Sequence, residues 1–193
     1  MNTLKKLLLF ALVIFVGGCD MISDEDGSDP SDPENQPENQ IPTSLHFAFK
    51  TEDWERKVDC THLDLDATKS TLLKATSQST GSTFYFVVPS SSTEMAKAEN
   101  FGKYPIGTEE YFSMAQVLPV SQGSDSRIRS KAGFDEENSF TEIVSITHAG
   151  TATDYEIYRV KGHYQMQMEG VEDEGLTRTC QGTFHFKIKT TKD

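Results

Sequence analysis

The sequence predicts an all-β fold: an antiparallel β-sandwich with one short helix, after an export signal and a polar tether. Three observations predict it. Residues 158–169 and 180–189 alternate apolar with polar side chains, the period of strands with one wall in the core. Upstream, short runs rich in β-branched and aromatic residues are separated by Gly, Ser, Asn and Pro turns. One run, residues 83–88, is apolar on both faces, as suits an inner strand of packed layers. A lipocalin-like β-barrel satisfies the same pattern and is the alternative.

The chain opens with Lys5 and Lys6, ten apolar residues at 7–16, then Gly17, Gly18 and Cys19. A cationic start, a short apolar run and small residues make a secretory signal peptide. Ten apolar residues are too few to cross a bilayer core, which needs about twenty. Val16-Gly17-Gly18-Cys19 resembles the lipobox of bacterial lipoproteins. That resemblance implies cleavage before Cys19, removal of residues 1–18, and acylation of the Cys19 thiol and its new amine. Two or more acyl chains hold a protein stably at a membrane.

Residues 19–44 follow as a tether. They carry Asp20, Asp24, Glu25, Asp26, Asp29, Asp32, Glu34 and Glu38, with no base, and four prolines. Such a segment cannot bury enough apolar area to offset its ordering entropy, so a disordered spacer is expected. Asp24-Glu25-Asp26-Gly27 lacks the spaced ligands of a calcium loop. Acidic residues just after the lipidated cysteine look like the surface-export signal of Bacteroidota lipoproteins. An aspartate directly after that cysteine looks, in enteric bacteria, like an inner-membrane retention signal.

The domain spans residues 45–193. Leu45, Phe47 and Phe49 alternate with polar positions as a first strand; Thr51-Glu52-Asp53 is a turn. Leu63 and Leu65 mark a second strand and residues 71–76 a third. Ser91 and Glu94 have capping-box spacing, Met95 and Ala98 share a face, and Gly102 suits a stop, which predicts a helix. Strands return at residues 111–120, 127–131 and 140–147. The two long C-terminal runs form a hairpin around an acidic loop, residues 169–178. Keeping their apolar faces together requires paired residue numbers with an even sum. A sum of 348 would oppose Lys161 and Lys187, an unfavourable pair; sums of 346 and 350 stay open.

The chain has 18 basic and 30 acidic residues and a net charge of −12. Without residues 1–18, and so without Lys5 and Lys6, 175 residues remain, with 16 bases against 30 acids, or −14. Such a chain is an unsuitable ligand for nucleic acid or anionic headgroups. With Cys19 assigned to lipid, Cys60 and Cys180 remain. In an oxidising compartment they are expected to form a disulfide, whose long loop would contribute about 4–5 kcal/mol.

Several pieces of the domain resemble a family of small Bacteroidota lipoproteins of unknown function. They are Phe47-Ala48-Phe49-Lys50 leading to Trp54, Gly102-Lys103-Tyr104-Pro105-Ile106-Gly107 leading to Tyr111, and Lys161-Gly162-His163-Tyr164 with Gln181-Gly182-Thr183-Phe184. The resemblance implies a lipobox, a polar tether and one β domain. It implies no activity and no functional residues. The family's glycine in the first hairpin turn is replaced here by Glu52-Asp53.

No nucleophile elbow, zinc-protease motif, P-loop or dinucleotide fingerprint occurs, so no cofactor is implied. His163 and His185 could meet on one strand face and bind a metal with a third ligand. Asp64 and Asp66 share a strand face about 7 Å apart, the arrangement a hydrolase would need. The aromatics Trp54, Tyr85, Tyr104, Tyr111, Tyr155, Tyr158 and Tyr164 could build a glycan-stacking platform or fill a β core. The leading expectation is a non-catalytic, lipid-anchored binding or assembly module. It would sit at the outer membrane, facing the surface or the periplasm, with an envelope protein or a glycan as partner. The alternatives are a lipocalin-like carrier of a small apolar ligand and a hydrolase using Asp64 and Asp66.

Overall fold

The computed structural model describes residues 40–59, 64–77, 80–133 and 137–193 (backbone only for Asp59 and Asp64). The signal peptide, Cys19, Cys60 and residues 19–39 of the tether lie outside the described residues.

The predicted all-β, mainly antiparallel fold is present. Among the described residues eleven strands run in order: β1 (His46–Lys50), β2 (Glu55–Asp59), β3 (Asp64–Asp66), β4 (Leu72–Thr76), β5 (Thr83–Val87), β6 (Gly102–Pro105), β7 (Met114–Pro119), β8 (Arg127–Ser130), β9 (Phe140–Thr151), β10 (Tyr155–Gly170) and β11 (Thr177–Thr191). The hairpin β10–β11 is the spine, with fifteen cross-strand pairs from Tyr155–Thr191 to Glu169–Thr177. The free edge of β10 pairs with β9 and, further along, with β8. The free edge of β11 pairs with β1 and then, in parallel, with β3. From β8 the sheet continues through β7 and β5 to β4; β6 flanks β9 and β2 flanks β1.

All eleven strands belong to one sheet. In its order β5 is five places from β1, yet Phe84 of β5 stacks on Phe47 of β1 at 4.5 Å and on Phe186 of β11 at 5.2 Å. The sheet therefore rolls over itself into a half-barrel. The two packed layers are arms of one curled sheet rather than separate sheets. Register shifts between β9 and β10 at Ile157/Tyr158 and Lys161/Gly162 add the local twist that curling requires. Phe47, Phe84, Phe184 and Phe186 fill the space between the arms, with Tyr164, Met166 and Met168 beside them.

The hairpin register is the 346 sum. It sets Gly162 opposite Phe184 and Tyr164 opposite Gly182. Each glycine makes room for the ring across from it. A Cβ on Gly162 would stand 2.8 Å from Cε1 of Phe184, and one on Gly182 would stand 2.7 Å from the Tyr164 hydroxyl and overlap the Ala48 carbonyl oxygen. The 350 sum would instead set Tyr164 opposite Phe186 and Gly162 opposite Ile188, which leaves both glycines facing no ring.

One expectation needs correction, and three details go beyond the sequence. Cys180 is a free, buried thiol, so the predicted bridge to Cys60 is not formed. Asp59, the residue before Cys60, pairs with His46, which faces His185. That position lies five residues along β11 from Cys180, about 16 Å at strand rise, beyond disulfide reach. The packed domain begins earlier than Leu45, because Ile41 is buried. The helix is only Ser92–Met95, capped by Ser91, which accepts from the Glu94 amide at 3.2 Å. It ends early because the Asn100 side chain takes the carbonyls of Glu94 and Met95, at 2.7 and 3.0 Å. Finally, β2 was not foreseen: Glu-Arg-Lys-Val-Asp reads as polar, and it forms an edge strand of the charged kind.

Gly182→Ala should lower the unfolding free energy by about 2–3 kcal/mol, the usual scale of overpacking. Gly150→Ala, whose Cβ would meet only Ile157 at 3.8 Å, should change it by less than about 0.5 kcal/mol. Urea unfolding of both variants checks this; equal losses would remove the register argument.

Candidate functional site

A groove of about 590 Å³ crosses the outer face of β2, β1, β11 and β10, ending at Phe140 of β9. The strand pairings build it as two cross-strand rows. In the first, Phe140 faces Gln165, Gln165 faces Gln181, Gln181 faces Lys50, and Lys50 faces Glu55. In the second, Glu142 faces His163 and His163 faces Thr183; beyond the groove floor, Ala48 faces Lys57. These residues share a face because side chains alternate along each strand.

The floor is low because its residues are small. Ala48 and Gly182 line it. Between the pairs Phe47–Phe184 and Lys50–Gln181, no β1–β11 ladder pair includes Ala48 or Phe49 among the described residues. The Tyr164 hydroxyl reaches up from the core there and donates to the Ala48 carbonyl at 2.9 Å. Gly182 is thus required twice, for the ring of Tyr164 and for the close approach of β1.

The walls are polar and fixed. His163 Nε2 stands 3.2 Å from Glu142 Oε2 and edge-on to Phe140 at 6.0 Å. Lys103 lies over the Phe140 ring at 4.1 Å and 3.8 Å from Glu142. The Gln165 amide donates to the Asn138 carbonyl at 3.1 Å. Lys50, Arg56 and Lys57 line the opposite wall with one acid, Glu55, which is 3.6 Å from Lys50.

The next row along the same face is closed. His185 faces Lys161 and His46, and both histidines are buried, at 2% and 0% exposure. His46 Nδ1 is 2.8 Å from the Ser44 carbonyl and its Nε2 is 2.9 Å from the Thr183 hydroxyl. Both ring nitrogens of His185 lack a well-formed hydrogen bond. Burial holds its pKa below the ordinary value. Lys161, Arg159 and His46 push the same way, against the Thr43 backbone.

The sequence candidates fall apart in space. His163 lines the groove, whereas His185 lies under residues 41–45; the register makes them diagonal neighbours. Among the described residues no group of three His, Cys, Asp or Glu converges. Asp66 is held below the usual carboxylate range chiefly by the Thr68 hydroxyl, which it accepts together with the Thr68 amide. That is a turn-forming role, and neither Asp64 nor Asp66 lines the groove. Burial pushes the Cys180 thiol up to about 12, so it is no nucleophile. The aromatics do not form one platform. Trp54 packs edge-on to Phe49 at 4.7 Å and donates to the Pro119 carbonyl at 3.2 Å; Tyr158 and Tyr164 are buried. Gln165, Gln181 and Phe140 were not singled out in the sequence. The alternation placed Gln165 and Gln181 on polar faces, but only the register shows that they adjoin each other and Phe140.

Burial holds the folded pKa of His185 below the unfolded value of about 6.5. Stability is then full above pH 6.5 and is lost as pH falls from there through the folded pKa. Urea midpoints measured from pH 7.5 to 5 should fall in the wild type and fall less in His185→Gln. An identical slope in the two would sink the assignment.

Compared with known proteins, the chain matches no family model, no curated protein and no solved structure; its own geometry carries the functional reading.

Proposed function

We propose that this chain is a lipid-anchored, non-catalytic binding module of the cell envelope that holds its partner in the outer-face groove. The observation that carries the reading is the groove itself: polar and cationic side chains in register around a floor kept low by Ala48 and Gly182. Two observations favour it over the alternatives. The space between the arms is filled by stacked rings 4.5–6.2 Å apart, which disfavours a carrier with an apolar interior. Asp66 is tied into a turn by Thr68, which disfavours a hydrolase built on it.

The anchor rests on the lipobox-like Val16-Gly17-Gly18-Cys19, and the envelope location rests on that and on the acidic run after it. The module would belong to the outer membrane, on the surface or periplasmic side, with nucleic acid excluded by charge.

Two variants test the two halves. Cys19→Ala should move the protein from the membrane fraction to the soluble fraction; unchanged fractionation would count against the anchor. Gln181→Trp fills the groove from an exposed position, so it should abolish capture of envelope material while leaving the urea midpoint unchanged. Undiminished capture would show that the groove is not the site.

A further inference from the structure

We infer that the outer face of β4, β5 and β7 docks a second copy of this chain. The surface is separate from the groove and does not depend on what the groove binds. Three observations carry it.

The first is an apolar face that the fold leaves partly bare. Residues 83–88 are apolar on both sides. Phe84, Phe86 and Val88 fill the core, while Tyr85 and Val87 point outward and stay partly open to water. The pairings set Leu72 of β4 beside Val87, and Ala115 of β7 beside Tyr85. Together they floor a second depression, of about 550 Å³. Leu72, at its margin, is 52% exposed.

The second is charge. Lys74 stands on the β4 side, 5.4 Å over the Tyr85 ring. Glu109 lines the opposite side, next to the β7 residues. Two strand spacings, about 10 Å, separate β4 from β7. The side chains of Lys74, Glu109 and the adjacent Glu110 make no ion pair or hydrogen bond among the described residues. The next cations along, Arg129 and Lys131, are both bonded to Glu169. An apolar floor with an unpaired cation on one side and unpaired acids on the other is complementary to its own twofold image. Rotation about an axis through the floor brings Lys74 to Glu109 of the second copy and Glu109 to its Lys74. The Leu72 side chain then meets the facing apolar floor.

The third is that the acid side is held in place. The Gly107 amide donates to the Met114 carbonyl at 2.9 Å, and the Thr108 amide to the Ser113 hydroxyl at 3.0 Å. The Phe112 amide donates to the Val87 carbonyl at 2.6 Å, with Phe112 at a φ of 64°. A bulky residue rarely adopts that conformation, and it persists only where its surroundings impose it. Docking therefore has little loop left to order.

Other occupants fit less well. A strand joining the edge of β4 would need the outward backbone groups of Leu72. The Ser70 hydroxyl already takes both, accepting from its amide at 3.2 Å and donating to its carbonyl at 3.1 Å. An anionic membrane surface would meet Glu109, Glu110 and a chain at −12. The Phe47–Phe84 stack sets the two arms core to core, so their outer faces look in opposite directions. A dimer through β4, β5 and β7 leaves the grooves of both copies open.

The test is sedimentation equilibrium of the full chain in density-matched detergent, across a concentration series. The mass should rise from one chain towards two. Leu72→Asp, with its circular dichroism unchanged, should weaken association at least tenfold. Lys74→Glu and Glu109→Lys should each do the same, because twofold symmetry turns both ion pairs into like-charge contacts. Lys74→Glu/Glu109→Lys together should restore association to within about threefold of the wild type. A single-chain mass at every concentration would overturn the inference. So would a dimer that Leu72→Asp or either single reversal leaves intact, or one that the double reversal fails to restore.

Discussion

The structure depends on two reciprocal contacts in one hairpin: Gly162 against Phe184, and Gly182 against Tyr164. A strand slipped by two residues keeps every apolar side chain on the core face, so burial alone cannot choose among even registers. Shape can. Only one register sets both glycines across from rings. With that register set, β10 presents one stretch to β9 and the next to β8, and β11 presents one stretch to β1 and the next to β3. The branching that lets the sheet curl follows from the length and register of this pair.

The same contact continues into a buried polar cluster. Tyr164 donates to the Ala48 carbonyl at 2.9 Å, and the Cys180 thiol donates to Gln116 Oε1 at 3.4 Å. The Tyr164 phenol lies well above its ordinary pKa, chiefly because it is buried. Gln116 Nε2 has no hydrogen-bond partner among the described residues, which costs free energy in a buried polar group. The Tyr164 hydrogen bond runs from the core towards the outer face. It brings β1 close to β11 where their ladder is interrupted, and so the interior contact shapes the exterior floor.

What could be read in the sequence follows from the range of the interactions. Alternation is local, and it showed the long strands; a run apolar on both faces marked the strand at residues 83–88. The capping signal at Ser91 was also local and correct, but the length of the helix was not. Asn100, which takes its last carbonyls, acts from outside the capping pattern. The β2 strand was hidden because a charged edge strand lacks the alternation that burial imposes. The disulfide expectation failed for a related reason: compartment and count say that two thiols are available, not that they lie within reach. The groove was least legible of all. Its residues come from five strands, and nothing in Gln165 or Gln181 distinguishes them from other solvent-facing amides until the register sets them side by side.

The outer face shows how one register sorts histidines of similar local pattern into different roles. His163 and His185 both sit on the outward side of the hairpin, two rungs of the same ladder. At one rung the neighbours are Thr183 and Glu142, and the ring stays partly open to water beside the groove. At the next, residues 41–45 cross the sheet, Ile41 is buried, and the ring is closed in beside His46 with Lys161 and Arg159 near it. The segment that ends the tether therefore closes the histidine row next to the groove. Sequence spacing cannot make that distinction. It arises from where the chain enters the sheet, and it joins the stability of the domain's first residues to the shape of the surface beside them.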